Sequence, residues 1–380
     1  MVGPLQGLLV ADLSRVLAGP YCTMLLADLG ATVIKVERPE SGDDTRAWGP
    51  PFASDGLSTY FHSVNRNKES LVADLHDQAD LARLHRLVDQ ADVIVENFKV
   101  GSLTTFGLDY TAVATRNPRA IYCSISGFGS GSGAGFPGYD LLVQAASGLM
   151  SITGDQEPMK VGVAVVDVLT GLHASVAILA ALHERDLSGV GQHVQVNLLS
   201  SALSALVNQA SSVLGAGIVP GLLGNAHPSI APYEVYTTAD RPLVIAVGND
   251  QQFRSLCTVL GHPEWAADPR FDSNPVRVAH RDALRELLTS VLRQRSAEQW
   301  HESLTRAGVP CGPINTVAQG LDLARTLDLA PQSPPADPTD PVAHVAPPFR
   351  LSRTPATYRT RPPQLGEDTA RIVDRLGLDG

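Results

Sequence analysis

The residue of most chemical interest is Asp167, in the segment Val161-Gly-Val-Ala-Val-Val-Asp167-Val-Leu-Thr-Gly171. The β-branched apolar run before it predicts a buried strand, and Leu169 through Leu182 predicts an apolar helix. A carboxylate therefore stands where a strand ends and a helix begins. Free N–H groups and the helix dipole favour a charged carboxylate at such a join. Ligand crevices in α/β sheets open at the carboxyl ends of strands, and a bare carboxylate there can act as a nucleophile. Aspartate is equally a preferred N-cap. The segment alone leaves both uses open, the cap being the commoner.

Little else in the composition competes for chemistry. Cys22, Cys123, Cys257 and Cys311 are scattered, with no Cys-x-x-Cys pair and no histidine at ligand spacing. Neither disulfides nor a metal site is expected, and a reducing compartment fits. A formal charge of −10 argues against a general nucleic-acid partner, and an aromatic fraction of 5% is thin for stacking on single-stranded bases. The N-terminus carries no basic-then-apolar signal and no run of about twenty apolar residues is evident, so a cytoplasmic protein without a membrane partner is expected.

The elements that would position Asp167 follow from periodicity. Leu8–Leu13, Thr32–Glu37, Val93–Glu96 and Ala120–Ile125 read as strands. Helices are expected over Tyr21–Leu29, 78–90 and 110–116 between them, then over 167–184 and 195–215. Strand–helix alternation predicts an α/β fold, a Rossmann-like parallel sheet with helices on both faces. No Gly-x-Gly-x-x-Gly follows the first strand, so a nicotinamide dinucleotide is not indicated. Gly127–Gly138 reads as a loop. Near Gly221 the texture changes to paired strands, Glu234–Thr238 and Leu243–Val247, and charged amphipathic helices between about 250 and 307. At 380 residues two domains are the default. The expected division is a large domain over 1–220, a smaller α+β domain over 221–328, and a return over 329–380. In that return a Pro-rich strap, 331–363, precedes a last helix near 367–376.

Blocks along almost the whole chain, in shared order and spacing, resemble the class III (family III) CoA-transferases. That family includes formyl-CoA, carnitine and dicarboxylate CoA-transferases, with methylacyl-CoA racemase as a sister. The blocks include Val16-Leu-Ala-Gly-Pro20, Leu29 to Arg38, Asn65-Arg-Asn-Lys68, Val95-Glu-Asn-Phe98, Gly138-Tyr-Asp140, Val166 to Gly171, Gly224-Asn-Ala-His-Pro228 and Gly308 to Pro313. The resemblance implies that Asp167 is a covalent nucleophile, kept ionised by its helix-terminal position. It implies acyl-CoA and a carboxylic acid as substrates, no tightly bound cofactor, and an interlocked homodimer.

Position by position, the resemblance lays Val16 and the Ala18-Gly19-Pro20 turn along the pantetheine and thioester, where the plain alternative is a strand-to-helix turn. Arg38 becomes a partner for the CoA phosphates. Asn65, Asn67 and Lys68 would meet the nucleotide end, the alternative being a solvated turn. Asn97 and Phe98 would hold adenine or pantetheine. Leu17, Tyr139, Gly224, Asn225 and His227 would line the acyl or acceptor pocket. Three departures narrow the expectation. Thr104-Thr105-Phe106 stands where some members carry a phosphate-binding arginine. The formyl-CoA enzymes have glutamine at the place of Leu17 and a tetraglycine loop at the place of Gly224–Pro228, so a larger acyl group or a dicarboxylate fits better than formate and oxalate. Racemases place a His-Asp pair where Tyr139-Asp140 stands, and tyrosine is a weak base near neutrality. Transfer is thus favoured over α-proton exchange, with racemisation and non-catalytic CoA binding as the alternatives.

Overall fold

The computed structural model describes residues 3–333 and 342–379. The chain forms two units. One draws on residues up to Leu149, on Val161–Ile218 and on the chain from Ala330 onward; the other on Met150–Lys160 and Val219–Leu329. The segment Met150–Lys160, which the sequence reading kept with the first unit, thus groups with the second.

The first unit begins β1 (Leu9–Asp12), α1 (Ala18–Asp28), β2 (Thr32–Glu37), α2 (Thr59–Val64), β3 (Lys68–Val72), α3 (Gln78–Gln90), β4 (Val93–Glu96). It continues α4 (Tyr110–Arg116), β5 (Ile121–Ser126), α5 (Asp140–Ala146), α6 (Val165–Ser188), β6 (His193–Asn197), α7 (Leu198–Ala205) and α8 (Val207–Ala216). The six strands of its main sheet are all parallel, in the order β3-β2-β1-β4-β5-β6. That is the doubly wound arrangement, and its order reverses between β1 and β4. Alternation along each strand sends side chains to opposite faces. Val10, Val33, Val93, Val95 and Ile121 pack with Cys22 and Leu26 of α1 and Ala174 and Ile178 of α6. Ala11, Ile34, Ile94 and Tyr122 pack with Leu84, Leu87 and Val88 of α3, with Val113 of α4 and with Ile372 further on.

Three local expectations fail for identifiable reasons. The apolar run before Asp167 is not a strand: Val161–Ala164 is irregular and α6 starts at Val165. β-branching marks burial as well as strand, and Val166 is fully buried in a helical first turn. The helix expected over 195–215 is β6 followed by two helices, because the Asn197 side chain accepts from the Ser200 N–H at 2.8 Å and caps α7 there. α6, at 24 residues, is by length and composition apolar enough to cross a bilayer, a run that a search for uncharged stretches passes over. Here it packs on α1 and the sheet.

The second unit holds β7 (Tyr233–Tyr236), β8 (Leu243–Ala246), α9 (Asp250–Val259), α10 (Asn274–Ala279), α11 (Arg281–Leu292), α12 (Ala297–Arg306), β9 (Cys311–Pro313) and α13 (Val317–Thr326). Its antiparallel β7-β8-β9 sheet buries Tyr236, Leu243 and Ile245 against Phe253, Leu256, Leu288 and Trp300.

From Pro331 the Pro-rich stretch forms β10 (Gln332–Ser333) and β11 (His344–Val345), an antiparallel pair; residues 334–341 of the expected strap lie outside the described residues. The final helix, α14 (Thr369–Leu376), seals the sheet edge. Asp368 accepts the Ser70 N–H at 2.9 Å and Thr369 the Val72 N–H at 3.1 Å, so the outward amides of edge strand β3 are satisfied.

Candidate active site

The chain leaves β1 through a turn whose amides are pinned one after another. Leu13 N–H donates to the Val95 carbonyl (2.8 Å), Ser14 N–H to Asp12 (3.1 Å), Arg15 N–H to Asn97 Oδ1 (2.9 Å) and Val16 N–H to Asp43 (3.2 Å). The Asn97 amide also donates to the Arg15 carbonyl at 2.7 Å, gripping that residue across the point where strand order reverses. Val16 is held at φ 72°, a left-handed conformation that costs a β-branched residue about 1–3 kcal/mol. The next amides, of Leu17, Ala18 and Gly19, find no acceptor among the described residues; the latter two open α1, where no earlier carbonyl is in reach.

α6 brings the carboxylate to this turn. Asp167 is the third residue of α6, not its cap; the cap position is Ala164, which has no side-chain oxygen. Asp140, at the start of α5, supplies the cap instead, accepting from the N–H groups of Val166 (2.8 Å) and Asp167 (3.2 Å) and from Gln144 Nε2 (2.6 Å). The helix end is thus satisfied by a second carboxylate, and the Asp167 carboxylate accepts no hydrogen bond among the described residues. Burial first, and then the neighbouring Asp140 charge, push the Asp167 carboxyl up from 3.8 to about 7. This corrects the expectation that its helix position keeps it fully ionised at neutral pH: the amides that would stabilise the anion are held by Asp140. Close approach of α1 to α6 depends on Gly171, where a Cβ would stand 2.6 Å from the Ala18 carbonyl oxygen.

Two crevices meet here, both at the carboxyl ends of strands. A cleft of about 470 Å³ is lined by Val16, Leu17, Ala18, Asn97, Tyr139 and Asp167, among others. Beside it an apolar crevice of about 310 Å³ runs past Val36, Arg38, Ala73, Leu75 and His76. Arg15 and Phe98 border both, and the Arg15 guanidinium sits 5.2 Å over the Phe98 ring. Arg38 lies at the mouth of the second crevice, half-exposed, bonded to Ser41 at 2.7 Å and paired with Asp44, which Arg15 also faces at 3.9 Å. Tyr139 is 63% exposed and lines the first cleft beside the Gly-rich loop.

The polar knot at Asn65, Asn67 and Lys68 is not a solvated turn, although Asn67 and Lys68 border a cavity with Arg359 and Arg371. All three are buried. Lys68 Nζ donates to Asp12 (3.0 Å), the Pro20 carbonyl (2.9 Å) and Asn65 (2.9 Å), using its three protons. Asn67 donates to Asp28 (2.7 Å) and the Thr357 carbonyl (2.8 Å) and accepts from the Thr360 N–H (3.1 Å), tying the C-terminal return to α1. Gly224, Asn225 and His227 belong to the second unit. There the Gly224 N–H bonds the Gly154 carbonyl, and His227 Nδ1 accepts the Ser229 N–H at 3.1 Å. Sequence reasoning missed Arg15, Asp43 and Asp140 as parts of the site. The one available signal was Lys35, a lysine inside the apolar strand Thr32–Glu37, which demands a buried partner.

Comparison with known proteins identifies the family and the fold. A family model described as CoA-transferase family III matches residues 5–369. A succinate–glutarate CoA-transferase from Agrobacterium fabrum is 46% identical over 98% of this chain and 96% of that protein. An acetyl-CoA:oxalate CoA-transferase from Acetobacter aceti is 43% identical over 85% of this chain and 84% of that protein. A crystal structure of a CAIB/BAIF family protein from Brucella suis superposes with a TM-score of 0.90 at 43% identity, covering 99% of this chain and 100% of that one.

Proposed function

Because the chain belongs to CoA-transferase family III, an enzyme family acting on CoA thioesters, we propose that it moves CoA between an acyl-CoA and a carboxylic acid through Asp167. The observation that carries this reading is a carboxylate that accepts no hydrogen bond among the described residues and lines one cleft with Val16, Leu17 and Ala18, the amides of Leu17 and Ala18 having no acceptor among the described residues. A bare carboxylate is a competent nucleophile, and free amides are what a developing oxyanion needs.

In the first step an Asp167 oxygen bonds to the thioester carbon, the C–S bond breaks, and CoA leaves as thiolate with the electron pair. The thiolate then attacks the Asp167 carbonyl of the mixed anhydride, releasing the donor acid as carboxylate and leaving an aspartyl-CoA thioester. The acceptor carboxylate repeats the sequence in reverse: it displaces the thiolate to form a new anhydride, and the thiolate takes the acceptor acyl group, restoring Asp167. No proton is transferred at any step, so no general base is required. The adenine end is placed in the apolar crevice at Val36 and Leu75, with Arg15 and Arg38 toward the phosphates and Phe98 between crevice and cleft. Since relatives at 46% and 43% identity are named for succinate, glutarate and oxalate, a dicarboxylic acid is the expected acid on at least one side. By the same family relation, the enzyme is read as a homodimer.

The test is hydroxylamine trapping with succinyl-, glutaryl- and acetyl-CoA, read as the mass of the peptide holding position 167. An Asp167 hydroxamate that is lost in Asp167→Ala supports the reading. Deuterium entering the α-carbon from heavy water without any adduct would replace transfer by proton exchange.

A further inference from the structure

The turn that presents Val16, Leu17 and Ala18 is built on charges that the reaction itself never touches. Lys35 and Asp43 are both fully buried and pair at 2.8 Å; Lys35 also donates to the Ser14 carbonyl at 3.0 Å. Asp43 accepts four further contacts: the Val16 N–H at both oxygens (3.2 and 3.4 Å), the Thr45 N–H (2.9 Å) and the Thr45 hydroxyl (2.7 Å). Its role as cap of the short turn at 44–47 accounts for the Thr45 contacts. It does not account for the bond to Val16, twenty-seven residues away, the one residue of the turn whose backbone adopts a conformation its side chain disfavours. Asp43 is the acceptor that offsets the strain of Val16 at φ 72°, and relaxation there on its removal would redirect the three amides that follow.

We propose that Asp43, itself anchored by Lys35, is a positioning residue: by holding the Val16 N–H it fixes the turn so that the amides of Leu17–Gly19 meet the oxyanion formed when Asp167 attacks. The inference rests on the reading of Asp167 as nucleophile. It is consistent with the charge state of the pair. Burial opposes the Asp43 anion, yet Lys35 and the Thr45 donors hold its carboxyl down at about 2, so the acceptor stays charged at every working pH.

The experiment compares three proteins with the wild type: Asp43→Ala, Val16→Gly, and the two combined. The rate of Asp167 hydroxamate formation from the best acyl-CoA is measured beside the Kd for free CoA, which has no acyl carbonyl to polarise. Loss of an oxyanion donor slows acylation by about 10²–10³-fold. Asp43→Ala is therefore expected to slow hydroxamate formation by at least ~30-fold while the Kd for CoA moves less than ~3-fold. Glycine takes positive φ without strain, so adding Val16→Gly should restore the rate at least ~5-fold, judged against Val16→Gly alone. If Asp43→Ala fails to fold because Lys35 is left unpaired, Asp43→Ala/Lys35→Met takes its place with the same expectations. Three results overturn the proposal while leaving Asp167 as nucleophile: an unchanged rate in a folded variant, a Kd rising as far as the rate falls, or no rescue by glycine. Absence of the hydroxamate in the wild type would instead remove the nucleophile reading, and the proposal with it.

Discussion

Asp167→Asn tests the electrostatics of the cleft independently of substrate. In the folded protein burial and Asp140 hold the Asp167 carboxyl at about 7, against 3.8 in its absence. The folded state therefore binds the proton more tightly than the unfolded state between about pH 4 and pH 7. Stability contributed by this group falls as pH rises through that window, and the penalty is complete above pH 7. At about 1.4 kcal/mol per pH unit the interval amounts to at most roughly 4 kcal/mol; water in an open cleft screens the charge, so about 2 kcal/mol is the expected size. Asparagine carries no such penalty. Urea denaturation at pH 8 should show Asp167→Asn more stable than wild type by about 2 kcal/mol, with the difference roughly halved near pH 4.5 and lost below the unfolded-state value of 3.8. The same ionisation shapes the wild-type rate: acylation of Asp167 requires the carboxylate, so it should rise with pH to a plateau above 7 and fall at lower pH with the slope of a single ionisation. A stability difference that is absent at pH 8, or equal at both pH values, would refute the reasoning. So would a rate profile flat from pH 5 to 8.

Three further substitutions probe other parts of the frame. Gly171→Ala places a methyl 2.6 Å from the Ala18 carbonyl oxygen, a backbone atom that cannot swing aside; a loss of about 1–3 kcal/mol in urea denaturation is expected, with a lower kcat because nucleophile and turn are pushed apart. Phe98→Ala removes the ring shared by the two crevices, so the KM for acyl-CoA should rise ~10–100-fold with kcat nearly unchanged; the opposite split would move Phe98 from binding into chemistry. Asp28 accepts from Arg66 (2.6 and 3.0 Å) and Asn67 (2.7 Å) in the interior. Asp28→Asn leaves the guanidinium without its counter-charge and should cost about 3–5 kcal/mol while leaving the pH dependence of activity in place, as calorimetry and a rate profile would show.

How much of this was legible in the letters depends on whether a residue's role is local. α3 and α4 were readable to the residue, 78–90 and 110–116, because Asp77 caps the one and the apolar face of each repeats at helical spacing. β2 and β4 were equally plain as short apolar runs closed by glutamate. β3 was not: Lys68-Glu-Ser-Leu-Val72 looks like a surface turn. It is a strand because Lys68 finds Asp12 and Pro20 inside, and because Asp368 and Thr369, some three hundred residues later, take its edge amides. The same holds for β6, whose His-Val-Gln-Val-Asn run has the alternation of a half-buried edge strand but was absorbed into a neighbouring helix.

The site divides along the same line. Asp167 stood out because an aspartate interrupting an apolar segment is locally anomalous. Asp140, which lies close enough to hold the helix amides of Asp167 and raise its pKa, sits in an ordinary Gly-Tyr-Asp start to α5, and nothing within ten residues betrays its reach to α6. Lys35 shows where such long-range partnerships become visible. A lysine in the middle of Thr-Val-Ile-Lys-Val-Glu cannot turn to solvent if both faces of the sheet are covered, and a lone buried ammonium is too costly to keep. The strand pattern alone therefore requires a buried carboxylate near the end of β1 or β2. Asp12, Asp43 and Glu37 are the acids within that reach, and the charge of each bears on Lys35. What the letters cannot supply is which of them also holds the backbone of the catalytic turn; that assignment needs the 2.8 Å and 3.2 Å contacts that single out Asp43.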